Sequence, residues 1–324
     1  MPRPKRDFLR LTDLSLDEHR ALFARARVLR AARDEGQVIT TLAGRTLLLL
    51  FEKSSTRTRV SFEAAIGQLG GTAITLPMQD SQLARGEPLA DTGAVVSRYV
   101  DAIMYRTFGD DRLAILAKSS RVPVINGLSD GGHPVQLLAD LQTTVEKLGP
   151  PQQGGAFPDA LAVLRGKQVA WVGDAASNMC LSWIEAAKLF GFTLRIAAPE
   201  GYRPDAALVA GAGQSVRLCS VNEAAAGADV ITTDVWISMG QEKEKAARLL
   251  ALAGYCVDEA LMAKAPPHAI FLHCLPAHRG EEVTAGVIDG PQSAVLDEAE
   301  NRMHAQKALL ELLINGRLGS PPSA

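Results

Sequence analysis

No stretch of this sequence is apolar for long enough to cross a membrane as a helix. The longest apolar runs, such as residues 46–51, fall far short of the roughly 20 residues that such a helix needs. The first ten residues are basic, but no apolar segment follows them, so they do not read as a secretory signal. Cysteine is scarce. Cys180, Cys219, Cys256 and Cys274 form no CxxC metal knuckle and no dense disulfide pattern, which leaves reduced, mostly buried thiols as the plain expectation. Charge of one sign is lacking as well. A formal net charge of -2 offers no basic field to a nucleic acid or an anionic membrane. Any anion bound here must therefore be held by a local cluster. Low-complexity segments and short-period repeats are absent too. These absences predict a soluble, cytoplasmic protein with neither nucleic acid nor membrane as partner.

What is present suits a globular enzyme. The 324 residues are 47% hydrophobic and 22% charged, enough apolar content for real cores, and the length suggests two domains. Ser15-Leu16-Asp17-Glu18 has the capping-box spacing and predicts a helix to about residue 32. Short apolar runs then alternate with helical stretches. Strands are predicted at 45–51, 73–76, 102–106 and 122–125, with helices at 59–69, 91–99, 112–118 and 134–148. Gly149-Pro150-Pro151-Gln152-Gln153-Gly154-Gly155 breaks the pattern and is the best linker candidate. The alternation resumes with strands at 168–172, 194–197, 216–218, 230–233 and 270–272, and helices at 179–190 and 299–313. The expected fold class is α/β: two doubly wound parallel-sheet domains with an active-site cleft between them. The first domain should span 1–148, with a C-terminal helix at 303–324 packing back on it, and the second 149–302. Ligands in such sheets sit at the carboxyl ends of strands.

One segment there invites an anion. Ser54-Ser55-Thr56-Arg57-Thr58-Arg59 follows an apolar strand and opens a helix. Small hydroxyl residues leave backbone N–H groups accessible, the helix dipole favours negative charge, and Arg57 adds a forked donor. Taken alone, these residues also fit an ordinary helix cap with solvated arginines.

Ser55-Thr56-Arg57-Thr58-Arg59 also resembles the carbamoyl-phosphate motif of the aspartate and ornithine carbamoyltransferases. Other segments follow in that family's order. His133-Pro134-Val135-Gln136 is similar to its His-Pro-x-Gln motif, and Asp234-Val235-Trp236-Ile237-Ser238-Met239-Gly240 to its ornithine-binding loop. His273-Cys274-Leu275-Pro276 is similar to its His-Cys-Leu-Pro motif. Residues 81–91 and 97–108 share the likeness, which covers nearly the whole chain. It departs in two places: Val135 stands where bacterial members often have Cys, and Ala175-Ala176-Ser177 lacks the Gly and the second polar residue common before Asn178.

The resemblance implies a function and a site. Ser55, Thr56, Arg57 and Thr58 would hold the phosphate of carbamoyl phosphate, joined by Arg106. His133 would bond the carbamoyl carbonyl oxygen, Gln136 the carbamoyl nitrogen, and Arg302 would lie near the carbonyl and the phosphate. The Leu275 carbonyl would accept from the carbamoyl NH2. For ornithine, Asn178 would meet the α-carboxylate and Asp234 the α-ammonium, with Ser238 and Met239 supplying loop contacts. Cys274 would lie beside the reacting δ-amine. Arg57, Arg106, His133, Asp234 and Cys274 form the expected catalytic set. The product would be citrulline, a step in arginine metabolism, with no metal and no cofactor. Gln82 belongs to a loop that in this family reaches into a neighbouring subunit, so a trimer or a multiple of three is expected.

The rivals fit less well. An aspartate-specific member should carry a lysine in residues 81–87 and a Pro-Leu-Pro segment in place of residues 273–276; neither is present. A member acting on an acetylated amine should lack the 234–240 loop, and a putrescine-specific member is also close. A nucleotide-dependent oxidoreductase should show GxGxxG after residues 168–172, where Gly173-Asp174-Ala175-Ala176-Ser177 stands instead. A paralogue that binds without catalysis would have little reason to keep all five catalytic candidates.

Overall fold

Ser15 and Glu18 exchange hydrogen bonds between side chains and backbone N–H groups, and this capping box opens α1 (Leu16–Asp34). The strand–helix alternation follows as β1 (Thr46–Phe51), α2 (Thr56–Gly67), β2 (Thr72–Pro77), α3 (Leu89–Val96), β3 (Ala102–Arg106), α4 (Asp110–Ser119), β4 (Val124–Leu128) and α5 (Pro134–Leu148). After α6 (Ala160–Leu164) come β5 (Gln168–Val172), α7 (Asn178–Phe190), β6 (Thr193–Ala197), α8 (Ala206–Ala212), β7 (Val216–Leu218), α9 (Val221–Ala225) and β8 (Val230–Thr233). The chain closes with α10 (Lys245–Leu252), α11 (Glu259–Met262), β9 (Ile270–His273), α12 (Ala285–Ile288) and α13 (Val295–Asn315). This computed structural model describes residues 5–150, 157–237 and 242–319. Most of the expected linker, and Ser238, Met239 and Gly240, lie outside the described residues.

Every pairing among β1–β9 is parallel. The first sheet has the order β2-β1-β3-β4 and the second β7-β6-β5-β8-β9. Continuous apolar runs explain this. Leu47, Leu49 and Leu50 of β1, and Val169 to Val172 of β5, are buried, as strands covered by helices on both faces require. Contacts divide the chain into two compact units: Met1–Leu138 with Asn301–Ala324, and Ala139–Glu300. The divisions between these contact units fall inside α5 and α13. Both helices run through the division without a break.

Several elements differ from expectation. Helix α2 starts at Thr56, not at residue 59, because the Ser55 hydroxyl accepts from the Thr58 backbone N–H and caps it. Strand β4 runs two residues later than 122–125, since Ser120 ties up the Val122 backbone instead. Of the four free cysteines only Cys180 is buried; the other three are partly exposed. Among the described residues no helix is long and apolar enough to cross a membrane.

Strand order decides where ligands can bind. In the first unit the chain passes from β1 outward to β2, then returns to the other flank of β1 for β3. The connections leave β1 and β3 in opposite directions, so a crevice opens at their carboxyl ends. The same reversal in the second unit lies between β5 and β8.

Candidate active site

In the first unit, Thr58 is the point where the cluster converges. Thr58 is fully buried in the first turn of α2. Arg106 Nη1 donates to its hydroxyl from the end of β3 at 3.3 Å, and Arg302 Nη2 donates to it from α13. Guanidinium groups can only donate, so these two contacts fill both lone pairs of the hydroxyl. The Thr58 proton is then left for Ser55 Oγ, 3.0 Å away. Arg302 Nη1 also donates to Gln136 Oε1 at 3.1 Å, in the first turn of α5. Arg106 is aimed by a register shift between Tyr105 and Arg106 in the β3–β4 ladder.

His133 immediately precedes α5 and is almost wholly buried. Burial, and then the positive charges of Arg302, Arg106 and Arg57, hold its imidazole well below the usual histidine range. It is therefore neutral at physiological pH and offers one N–H. Three guanidiniums and one neutral imidazole, beside the N-terminus of α2, form a cradle for an oxyanion or phosphate. Ser55 is partly buried, and Thr56 and Arg57 are exposed at the helix start. A cavity of about 610 Å³ opens on the flank of that helix start, bounded by Ser54, Ser55, Thr56 and edge strand β2. Gln82 stands apart. It is exposed on a short turn, Gln82–Arg85, that Gly86 closes with φ +92°, and its side chain makes no hydrogen bond among the described residues.

The second unit holds the other candidates. Asp234 follows β8, and its Oδ1 accepts from the Val235 backbone N–H at 2.8 Å and from Cys274 Sγ at 3.2 Å. Burial pushes the Asp234 carboxyl up; His273 and its two hydrogen bonds oppose this, while Glu282 adds to it. The Cys274 thiol is pushed well above its usual value, first by burial and then by Asp234, Glu298 and Asp140. It is a protonated donor, not a ready thiolate. Leu275 has φ +57°, a left-handed conformation that strains a branched residue, and its peptide bond to Pro276 is cis. Its N–H donates to His273 Nδ1 at 2.9 Å. That contact fixes the Nε2–H tautomer, whose N–H faces Glu282 Oε1 at 3.3 Å. The His273 backbone N–H is held by Glu298 Oε2 at 2.9 Å. Asn178 opens α7 beside the cap Ser177, where a carboxylate ligand would meet the helix dipole.

Asp234, His273 and Cys274 place potential metal-ligand atoms within 4.8 Å of one another. Their protons are arranged for hydrogen bonding, because the thiol is held protonated and Nδ1 is taken by a backbone N–H. Sequence reasoning passed over His273, Glu282 and Glu298 as participants. His273 could have been found from its place beside Cys274; the two glutamates carry no local signal.

Comparisons with known proteins extend this geometry. The family description "Aspartate/ornithine carbamoyltransferase, carbamoyl-P binding domain" matches residues 6–146, and "Aspartate/ornithine carbamoyltransferase, Asp/Orn binding domain" matches 165–313. The ornithine carbamoyltransferase of Halorhodospira halophila is 57% identical over 312 residues, 96% of this chain and 99% of that one. That of Burkholderia mallei is 52% identical over 317 residues, 97% of each. Among solved structures, the Burkholderia thailandensis ornithine carbamoyltransferase superposes with TM-score 0.86 at 49% identity, covering 97% of this chain and 100% of that one. The Pyrococcus furiosus enzyme gives TM-score 0.87 at 45% identity, covering 97% and 98%.

Proposed function

We propose, from the premise that the chain belongs to the aspartate/ornithine carbamoyltransferase family, that it transfers the carbamoyl group of carbamoyl phosphate to the δ-amine of L-ornithine. Citrulline and phosphate are the products, which places the chain in arginine metabolism. The observation that carries this reading is the set of three guanidiniums around the neutral, buried His133. The neutral δ-amine attacks the carbamoyl carbon, and a C–N bond forms. The carbonyl π electrons move onto oxygen, where His133 donates its N–H. When the carbonyl re-forms, the C–O bond breaks, its electron pair leaves with phosphate, and the phosphate takes the proton that the attacking nitrogen sheds. Arg57, Arg106 and Arg302 stabilise the charge on oxygen and leaving group. Thr58, Ser55 and Thr56 seat the phosphate, and Gln136 with the Leu275 carbonyl orients the carbamoyl NH2.

Free ornithine has a δ-ammonium of lysine-like pKa, roughly 10, which must lose a proton before attack. Asp234 and the Cys274 thiol are the groups nearest that task. Carbamoyl transfer needs no covalent enzyme intermediate, and the thiol, raised well above its usual value by burial and Asp234, acts as a donor. Asn178 and Asp234 read the α-carboxylate and the α-ammonium; Ser238 and Met239 complete the set. Offering carbamoyl phosphate with ornithine, putrescine, aspartate or acetylornithine tests the reading. Ornithine should be carbamoylated far faster than the others. Equal turnover of putrescine would remove the role given to Asp234.

The same reading makes the protein a cytoplasmic homotrimer or a multiple of one, supported by the exposed Gln82 turn and the cavity beside Ser55 and Thr56. Gln82 then completes a neighbouring subunit's carbamoyl-phosphate site, and head-to-tail contacts close the ring. Mixing inactive Gln82→Ala and Arg57→Ala proteins under subunit exchange should restore part of the activity. No recovery after verified exchange would sink the shared site.

A further inference from the structure

The crevice between β5 and β8 is bridged by a side chain that the reaction itself does not use. Arg248, on α10, donates through Nε to the Trp236 carbonyl oxygen at 2.5 Å, and through Nη2 to Asp174 Oδ2. Its guanidinium lies 4.9 Å from the centre of the Tyr202 ring. Arg248, Asp174 and Trp236 are all buried. The Asp174 Oδ1 atom accepts from the Ala176 backbone N–H at 3.0 Å, and the Tyr202 carbonyl accepts from Ala175 N–H at 2.9 Å. The two loops also abut directly. Gly173 has φ +123°, and a Cβ there would lie 3.2 Å from Thr233 Oγ1 and 3.4 Å from Trp236 Nε1.

These contacts have a direction. The loop after β5 runs from Asp174 to Asn178, and the loop after β8 from Asp234 to Trp236. Arg248 therefore ties together the two chain segments that present Asn178 and Asp234. A buried ion pair is weak evidence of a purely stabilising role, because apolar groups of similar volume often do as well. What apolar groups cannot do is hold a carboxylate and a carbonyl at once in a rigid, planar fork.

We propose that Arg248 is a positioning residue for substrate selection: by gripping Asp174 and the Trp236 carbonyl together, it sets the spacing of Asn178 and Asp234 and so governs recognition of the α-amino-acid end of the second substrate. This rests on the reading of Asn178 and Asp234 given above. It predicts that disturbing the fork affects ligands that carry an α-carboxylate and α-ammonium, and spares those that do not.

The test uses full-length Arg248→Lys, which keeps the charge and loses the fork, and the apolar pair Asp174→Leu/Arg248→Met. The readings are KM for ornithine, KM for carbamoyl phosphate, the inhibition constant of norvaline and the melting temperature. Norvaline keeps the amino-acid end of ornithine and lacks the reacting amine. In each variant that keeps its melting temperature, the ornithine and norvaline constants should rise together by at least about tenfold. KM for carbamoyl phosphate should stay within about twofold, and the slow turnover of putrescine should not move. Unchanged ornithine and norvaline constants in either folded variant overturn the proposal. So does a parallel rise in both substrates' constants, and so does unfolding of both variants, which would assign Arg248 to the fold alone. A wild-type protein that forms no citrulline overturns the functional reading itself. An active wild type with unmoved variants overturns only the role of Arg248.

Discussion

Mild acid should destabilise the first unit selectively. Three histidines there are held neutral. Burial pulls His19 down to about 4, although Leu11 O, 2.8 Å from its Nε2, opposes the shift. Burial, then Lys307, Arg30 and Arg33, pull His304 down to about 3. His133 lies well below the usual range for the reasons given above. A histidine whose folded value is depressed takes up its proton first in the unfolded chain. Its stabilisation is complete above the unfolded value of about 6.5 and is lost as pH falls from there toward the folded value. Between about pH 6.5 and about pH 5.5, linkage costs about 1 kcal/mol per such group, hence about 3 kcal/mol for the three.

Other groups in that unit leave the window clear. The carboxyls of Glu18, Glu52, Glu63 and Glu311 are all lowered, so their contributions fade only below the ordinary carboxylate range. Lys307, lowered to about 8, is charged in both states by pH 6.5 and adds little slope. The measurement is urea unfolding at the two pH values. All three tryptophans, Trp171, Trp183 and Trp236, belong to the second unit, so their emission reports that unit. The transition of interest is the far-ultraviolet dichroism change without a tryptophan counterpart. His19→Gln and His304→Gln should each remove about a third of its pH dependence. A pH-independent midpoint, or Gln variants that keep the full wild-type slope, would refute the assignment of neutral buried histidines.

The remaining predictions concern the site. Arg57→Ala should lower kcat by at least about 100-fold, as loss of one preorganised donor does elsewhere; a change confined to KM would mean uniform binding only. Iodoacetamide at about pH 8 should label Cys274 far more slowly than free cysteine, because burial and Asp234 keep the thiol protonated; labelling at the free-thiol rate, read by peptide mass spectrometry, would contradict the Asp234 contact. Arg302→Lys cannot span both Thr58 and Gln136, so inorganic phosphate should bind about tenfold more weakly; calorimetry showing unchanged binding would leave Arg302 outside the anion site.

Local signals carried much of the site. The cap Ser55, the hydroxyls beside it and Arg57 are consecutive, so one short segment announces an anion at a helix start. Arg106 and Asp234 were legible as polar residues closing apolar strands. Thr58 as the meeting point of Arg106 and Arg302 was not, because its partners lie 48 and 244 residues away in sequence. Arg248 and Asp174 are 74 residues apart, and no periodicity links them. Helices α9, α11 and α12 have four or five residues, too few for an apolar repeat to show. The divisions between the contact units carry no local signal either, because α5 and α13 run through them without a break.

Strand order explains why chemically ordinary residues become sites in both units. A reversal of direction leaves two loops facing a crevice with no shared helix to hold them in register. Each unit supplies the missing tie in the same way. In the first, Glu52 follows β1, and its carboxylate gathers Tyr105 and Thr107 from the end of β3 and Arg112 from α4. In the second, Asp174 follows β5 and meets Arg248 from α10, the helix after β8. An acid after the first strand of the crevice thus pairs with an arginine on the helix that follows the second. The pairs differ in exposure: Arg112 is 36% exposed against 2% for Glu52, while Arg248 and Asp174 are 6% and 8%. Solvent can relax the first pair and not the second. The anion cradle accordingly adds further ties, among them Lys53 to Asp130 at 2.8 Å, ahead of His133. Among the described residues of the second crevice, Arg248 holds a carboxylate from one loop and a carbonyl from the other in one buried fork, which is why a single substitution there should separate the recognition of two substrates.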